Sequence, residues 1–72
     1  MSYLSTLRKE VNRNFRVKIN GNGISTFVGM QGLINHLGYY RATSLCEAAL
    51  GSQTDIYQCK LRRGLRIRFY VK

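Results

Sequence analysis

The basic residues near the end of the chain have the type and spacing that binding to a polyanion requires. Residues 59–72 hold six of the twelve Lys and Arg residues, and these cations alternate with apolar residues. Successive side chains of an extended strand point to opposite faces, so Arg66, Arg68 and Tyr70 share one face and the apolar residues between them share the other. Such a strand can pack its apolar face on a core and offer fixed positive charge to phosphate groups.

The same alternation of basic and apolar residues occurs in one other segment, residues 15–19. It predicts that six cations share one face of a sheet if the strands pair: Arg16, Lys18, Lys60, Arg62, Arg66 and Arg68. If about six phosphates were neutralised, the logarithm of the affinity would fall against the logarithm of the salt concentration with a slope of roughly −5. The alternative is a solvated face that maintains solubility and protects edge strands from aggregation.

Exposed aromatic rings are a second feature that suits nucleic acid, because bases of single strands stack on them. Tyr70 is the best candidate, since it lies among the cations of the last predicted strand. The alternative is that its ring covers the aliphatic stems of neighbouring arginines. Tyr39 and Tyr40 fall between two predicted helices, and the three phenylalanines, Phe15, Phe27 and Phe69, are predicted to be core residues.

The size and charge of the chain favour one small domain with an anionic partner. It has 72 residues, 44% of them hydrophobic, and a formal net charge of +9. That charge favours nucleic acid first, an anionic membrane second and an acidic protein third. No apolar run approaches the roughly 18 residues of a membrane span, and the start of the sequence does not resemble a signal peptide. We therefore expect a cytoplasmic protein.

Catalytic and metal-binding residues are sparse. His36 is the only histidine, and the three acidic residues fall in separate segments, so no pair of nucleophile and base is recognisable. His36, Cys46 and Cys59 supply three soft ligands, whereas a structural zinc site uses four. We expect no enzymatic activity, no cofactor, no metal and no small-molecule substrate. Both cysteines are predicted to be buried, reduced thiols, with a disulfide left open for an exported protein.

Periodicity predicts an α+β domain with the element order αββααββ. A helix over residues 2–13 precedes a strand that begins at Phe15 and stops at the turn formed by residues 20–23. A short strand over residues 24–28 follows, then a helix from Gly29 that Gly38 ends. A third helix spans residues 41–50, with Ser44 and Glu47 spaced as a capping box. Strands over residues 55–61 and 65–71 form a C-terminal hairpin.

The two central helices resemble a helix-turn-helix over residues 33–50, in which a leucine-glycine pair, Leu37-Gly38, precedes the turn. With the flanking strands, the resemblance extends to a winged helix-turn-helix DNA-binding domain. The resemblance implies that the third helix lies in or beside the major groove of DNA, with these residues facing the groove: Tyr40, Arg41, Thr43, Ser44 and Glu47. It makes Arg62-Arg63-Gly64 the tip of the wing. The alternative is an ordinary pair of helices packed on a sheet.

These patterns lead to a hypothesis and a rival. The hypothesis is a small nucleic-acid-binding regulator or accessory factor that prefers double-stranded DNA to RNA and uses a homodimer or a protein partner for specificity. The rival is a basic module that docks on an acidic surface of a larger complex. Binding to anionic lipid ranks third, because the predicted cations lie on strands and not on a helix with an apolar face.

Overall fold

The protein folds into three helices and one antiparallel sheet. A computed structural model describes residues 2–72. Its elements are α1 (Tyr3–Asn14), β1 (Phe15–Gly21), β2 (Ile24–Val28), α2 (Met30–Leu37), α3 (Tyr39–Gly51), β3 (Ile56–Arg62) and β4 (Leu65–Val71). The four strands are ordered β2-β1-β4-β3. The predicted α+β class, the element order and the C-terminal hairpin are confirmed.

Helix α1 begins at Tyr3, one residue after its predicted start, with Ser2 as the N-cap. The side chain of Ser2 accepts a hydrogen bond from the backbone N–H of Ser5 at 3.2 Å, which satisfies one of the free donors of the first turn. Leu7 and Val11 are buried one turn apart on the face toward the sheet. The chain then passes directly into β1 at Phe15, so α1 and β1 are joined without a loop.

The turn between β1 and β2 sets the register of the first hairpin. Asn22 and Gly23 both have positive φ, at 53° and 74°, as a two-residue hairpin turn with the twist of the flanking strands requires. Gly21 therefore pairs with Ile24, and Lys18 pairs with Phe27 three residues further along each strand.

Gly38 separates α2 from α3 and determines where α3 starts. Its φ is 85°, a conformation that glycine adopts readily, and its N–H donates to the carbonyl of Ile34 at 2.8 Å. Helix α3 begins immediately at Tyr39, so the predicted capping box is wrong. Ser44 lies in the second turn of α3, where the backbone N–H groups that a cap would satisfy already bond within the helix.

The core lies between the three helices and one face of the sheet, which we call the inner face. The core includes alternate residues of β1 (Phe15, Val17, Ile19) and of β4 (Ile67, Phe69), and the rings of Phe15 and Phe69 meet edge to face at 5.6 Å. Leu45 and Ala49 of α3 are buried in this core. The buried hydrophobic residues are Leu7, Val11, Phe15, Val17, Ile19, Met30, Leu33, Ala42, Leu45, Cys46, Ala49, Ile67 and Phe69. All three helices thus pack on the inner face of the sheet.

A Cβ atom added to Gly32 would lie 2.6 Å from the Cβ of Val28, so α2 approaches β2 closely at this glycine.

None of the helices formed by residues 2–72 is long and apolar enough to cross a membrane.

Candidate nucleic-acid interface

The side of the sheet opposite the helices, which we call the outer face, is built from the residues that alternate with the core. Strand pairing aligns them in three cross-strand rows: Ile56, Tyr70 and Arg16; Gln58, Arg68, Lys18 and Phe27; Lys60, Arg66, Asn20 and Ser25. Because all four strands share one sheet, cations that are far apart in the sequence become neighbours on this surface.

The outer face carries only positive formal charge. Five of its residues are cations, namely Arg16, Lys18, Lys60, Arg66 and Arg68. The acidic residues lie elsewhere in residues 2–72, with Glu10 in α1, Glu47 in α3 and Asp55 just before β3. Two pairs of like charges stand directly opposite each other, Lys18 with Arg68 and Lys60 with Arg66. Five of the six cations predicted for one sheet face therefore do share it.

The sixth cation, Arg62, lies at the tip of the C-terminal hairpin. A shift in register between Lys60 and Arg62 pairs Arg62 with Leu65, which takes it out of the regular alternation. Arg62 instead lines a concave site of about 130 Å³ at the edge of the outer face, together with Asn20, Lys60, Gly64, Leu65 and Arg66. Arg63 is exposed in the adjoining turn. The cations of the tip thus adjoin those of the sheet.

Phe27 is on the outer face, and its prediction as a core residue is wrong. It pairs with Lys18, whose side chain points outward, and 48% of its surface is exposed. The guanidinium carbon of Arg16 lies 4.0 Å from the centroid of the Phe27 ring, and the Nζ atom of Lys18 lies 5.8 Å from it. The ring of Tyr70 is 6.4 Å from that of Phe27. Two aromatic rings and two cations are therefore grouped at one end of the outer face.

A few polar contacts hold outer-face side chains in place. The Nε atom of Arg68 donates to the amide oxygen of Gln58 at 3.1 Å. This bond, which crosses from β4 to β3, holds the Nε end of the guanidinium group in place. Asn20 accepts a hydrogen bond from the hydroxyl of Ser25, its cross-strand partner. Because Gln58 is neutral, it orients Arg68 without cancelling its charge.

The residues predicted from the helix-turn-helix resemblance lie in the helical layer. Arg41 and Ser44 are exposed on α3, which packs on the inner face, so they are on the opposite side of the sheet from the outer face. Thr43 is only 7% exposed, and its hydroxyl donates to the carbonyl oxygens of Tyr39 and Tyr40, both at 3.0 Å. The prediction that Thr43 faces a groove is therefore corrected, because its side chain is buried and its donor is occupied.

The histidine and the cysteines are dispersed. Among residues 2–72, no three His, Cys, Asp or Glu side chains come together to hold a metal ion. Both cysteines are free, with Cys46 buried and Cys59 half-buried. The Sγ atom of Cys46 lies 3.2 Å from the sulfur of Met30, and burial raises the pKa of this thiol to about 12. The Nδ1 atom of His36 is 2.9 Å from the carbonyl oxygen of Gly32, within its own helix.

Comparisons with protein-family models, with curated proteins and with solved structures give no match to this chain. The function must therefore be inferred from the outer face itself: five cations, two aromatic rings and no carboxylate.

Proposed function

We propose that this protein is a small, non-catalytic nucleic-acid-binding protein, and that the outer face and the tip at Arg62-Arg63-Gly64 contact backbone phosphates. The observation that carries the proposal is the pairing of like charges across strands. Lys18 stands opposite Arg68, and Lys60 stands opposite Arg66, on a face that has no acidic residue.

This arrangement lowers the stability of the free protein. Like charges directly opposite each other in a sheet destabilise it, by about 0.2–1 kcal/mol for each pair. A domain of this size has a total stability of roughly 4–11 kcal/mol, so two such pairs are a noticeable loss. Solubility alone is served equally well by mixed charges. Phosphate groups of a nucleic acid would remove the repulsion, because each would place negative charge between the cations.

The outer face and α3 offer two different ways to bind nucleic acid, and they make opposite predictions for Arg41. Docking in the manner of a winged helix would place α3 at the DNA, so Arg41→Glu would weaken binding strongly. Binding through the outer face leaves Arg41 on the far side of the sheet. We favour the outer face because it concentrates five cations, whereas Arg41 is the only Lys or Arg in α3.

Titration of labelled duplex DNA, single-stranded DNA and RNA, at low and at physiological salt, tests the proposal. We expect micromolar or tighter binding to at least one of them at low salt. The variant with Lys60→Glu and Arg66→Glu should bind much more weakly than a matched control with Lys9→Glu and Arg13→Glu. The control removes the same number of positive charges from α1.

Three binding results would contradict the proposal, each in a different way. Equal losses in the two double variants would mean that bulk charge, and not the outer face, attracts the nucleic acid. A strong loss with Arg41→Glu alone would favour docking through α3. Absence of binding to all three nucleic acids at low salt would refute the proposal and leave the interpretation as a basic protein-interaction module.

A further inference from the structure

We infer that the outer face binds a single-stranded segment of nucleic acid, with a base stacked at the group formed by Arg16, Phe27 and Tyr70. This inference rests on the proposed function and narrows it to one form of nucleic acid. It differs from the preference for double-stranded DNA that the helix-turn-helix resemblance implies.

The first argument is the surface that these side chains create. The rings of Phe27 and Tyr70 project from β2 and β4, which lie on either side of β1. Strands two positions apart are separated by about 9.6 Å, yet the ring centroids are only 6.4 Å apart, so the rings lean toward each other over β1. Beside them opens a cleft of about 390 Å³, lined by Arg16, Phe27, Tyr70, Val71 and Lys72. The cleft has aromatic walls and a cationic rim.

The second argument is the position of Arg16. Its guanidinium lies 4.0 Å from the centroid of the Phe27 ring. Guanidinium groups and aromatic rings are the two kinds of surface on which proteins stack unpaired bases. The positive charge of Arg16 also suits it to bind phosphate, so it could contact the sugar-phosphate group attached to a stacked base.

The third argument is the division of the outer face into two ends. Arg66 and Tyr70 are four residues apart on β4, which corresponds to about 13 Å along the strand. The tip end of β4 has Lys60, Arg62 and Arg66 around a concave site, and the other end has the aromatic rings. A short single strand laid along this axis would place a base at the rings and phosphates further along the strand at the tip.

The rings of Phe27 and Tyr70 could not stack on the bases of a duplex. Bases in a duplex are stacked on each other and present only their edges in the grooves. Taking a base out of the stack costs free energy that a small binding protein must recover elsewhere. Phe27 and Tyr70 lie within an open sheet surface between cations, so they can contact the face of a base only when that base is unpaired.

The test compares Phe27→Leu and Tyr70→Leu with the matched control Tyr40→Leu. Tyr40 is an aromatic residue on α3 with 83% of its surface exposed, in the layer opposite the outer face. Fluorescence anisotropy would measure binding of oligo(dT), of oligo(rU) and of a duplex of the same length. Thermal unfolding of each variant would check the fold, and Phe27→Tyr, which keeps the ring, should restore binding.

We expect Phe27→Leu and Tyr70→Leu each to weaken binding of the single strands by roughly 5- to 150-fold, the usual effect of removing an aromatic side chain on which one base stacks. Duplex binding should change less than twofold, and Tyr40→Leu should have no effect on any ligand. The oligo(dT) and oligo(rU) arms show whether the strand is DNA or RNA.

Other outcomes overturn the inference without affecting the proposed function. An unchanged affinity for single strands in both Leu variants, or an equal loss for the duplex, would exclude base stacking at these rings. The proposed function would stand in that case if the variant with Lys60→Glu and Arg66→Glu still lost binding. If the wild-type protein bound neither form at low salt, the proposed function itself would fail.

Discussion

Lys60 is a residue at which stability and nucleic-acid binding are expected to change in opposite directions. It stands directly opposite Arg66 on the outer face. The Cβ atoms of such a pair are about 5 Å apart, and like charges there cost about 0.2–1 kcal/mol. Lys60→Gln removes this repulsion. Lys60→Glu replaces it with an attraction of similar size, so it should stabilise the fold further.

The expected change is large enough to measure. A gain of about 0.5 kcal/mol from Lys60→Gln raises the Tm of a domain of this size by roughly 2–4 °C, and Lys60→Glu by about twice as much. The gain should shrink in 1 M salt, where the Debye length is about 3 Å. Loss of one phosphate contact should also make the salt slope for a single strand shallower by about 0.7. Thermal unfolding and anisotropy across a salt series measure the two effects.

Lys9→Gln provides the matched control for Lys60→Gln. Lys9 lies in α1, outside the sheet, and Lys and Gln have similar helix propensities. If Lys60→Gln raised the Tm no more than Lys9→Gln did, the repulsion would be a general effect of net charge. If Lys60→Gln stabilised the fold and left the salt slope unchanged, phosphate would not bind near Lys60.

Three further outcomes follow from the helices and the thiols. With Ellman's reagent, we expect the half-buried Cys59 to react in the native protein and Cys46 only on unfolding, so equally fast reaction of both would contradict the packing. Burial raises the pKa of Cys46 from 9.0 to about 12, and the hydrogen bond from Tyr3 to Glu47 is the main cause that raises the pKa of Tyr3 from 10.0 to about 12. The fold favours the neutral form of both groups, so their contribution to stability is complete below about pH 9 and is lost as the pH rises toward 12. The free energy of unfolding, measured with urea between pH 8 and 11, should therefore fall as the pH rises, and Cys46→Ala should make that fall smaller. A free energy of unfolding that did not change with pH would be inconsistent with these pKa shifts. Gly32→Ala should lower the free energy of unfolding by about 1–2 kcal/mol, because the clash with Val28 outweighs the gain of about 1 kcal/mol in helix propensity. Gly51→Ala is the control, since a Cβ atom there meets no other atom within 4 Å. An equal rise in Tm for both variants would disprove the clash.

Most of the fold could be predicted because its signals are local. Helix α1 has a capping serine and buried residues one turn apart, and the strands of the C-terminal hairpin alternate regularly around Gly64. The start of α3 could not be predicted in the same way. It depends on the positive φ of Gly38, whereas Ser44 and Glu47 have the same spacing in a helix interior as in a capping box.

The candidate site was predicted less completely, because its composition depends on register. The segment of β2 has apolar residues at both phases of the alternation, with Ile24 and Val28 on one face and Phe27 on the other. Alternation within β2 therefore does not decide which face is buried. A signal did exist: with Asn22 and Gly23 as a two-residue turn, counting back from Gly21 and Ile24 pairs Phe27 with Lys18. The bulge at Lys60 and Arg62 has no comparable signal in the sequence.

The pairing of β1 with β4 would link the folding of this chain to binding of the proposed polyanion. Phe15 pairs with Val71, so the central contact of the sheet joins residues that are distant in the sequence. Each hairpin can form locally, but closing the long loop between β1 and β4 costs entropy and is expected to come late. The same step places Lys18 opposite Arg68 and Arg16 opposite Tyr70. A polyanion that binds only the completed sheet would favour closure, by about 2.7 kcal/mol at a concentration one hundred times its Kd.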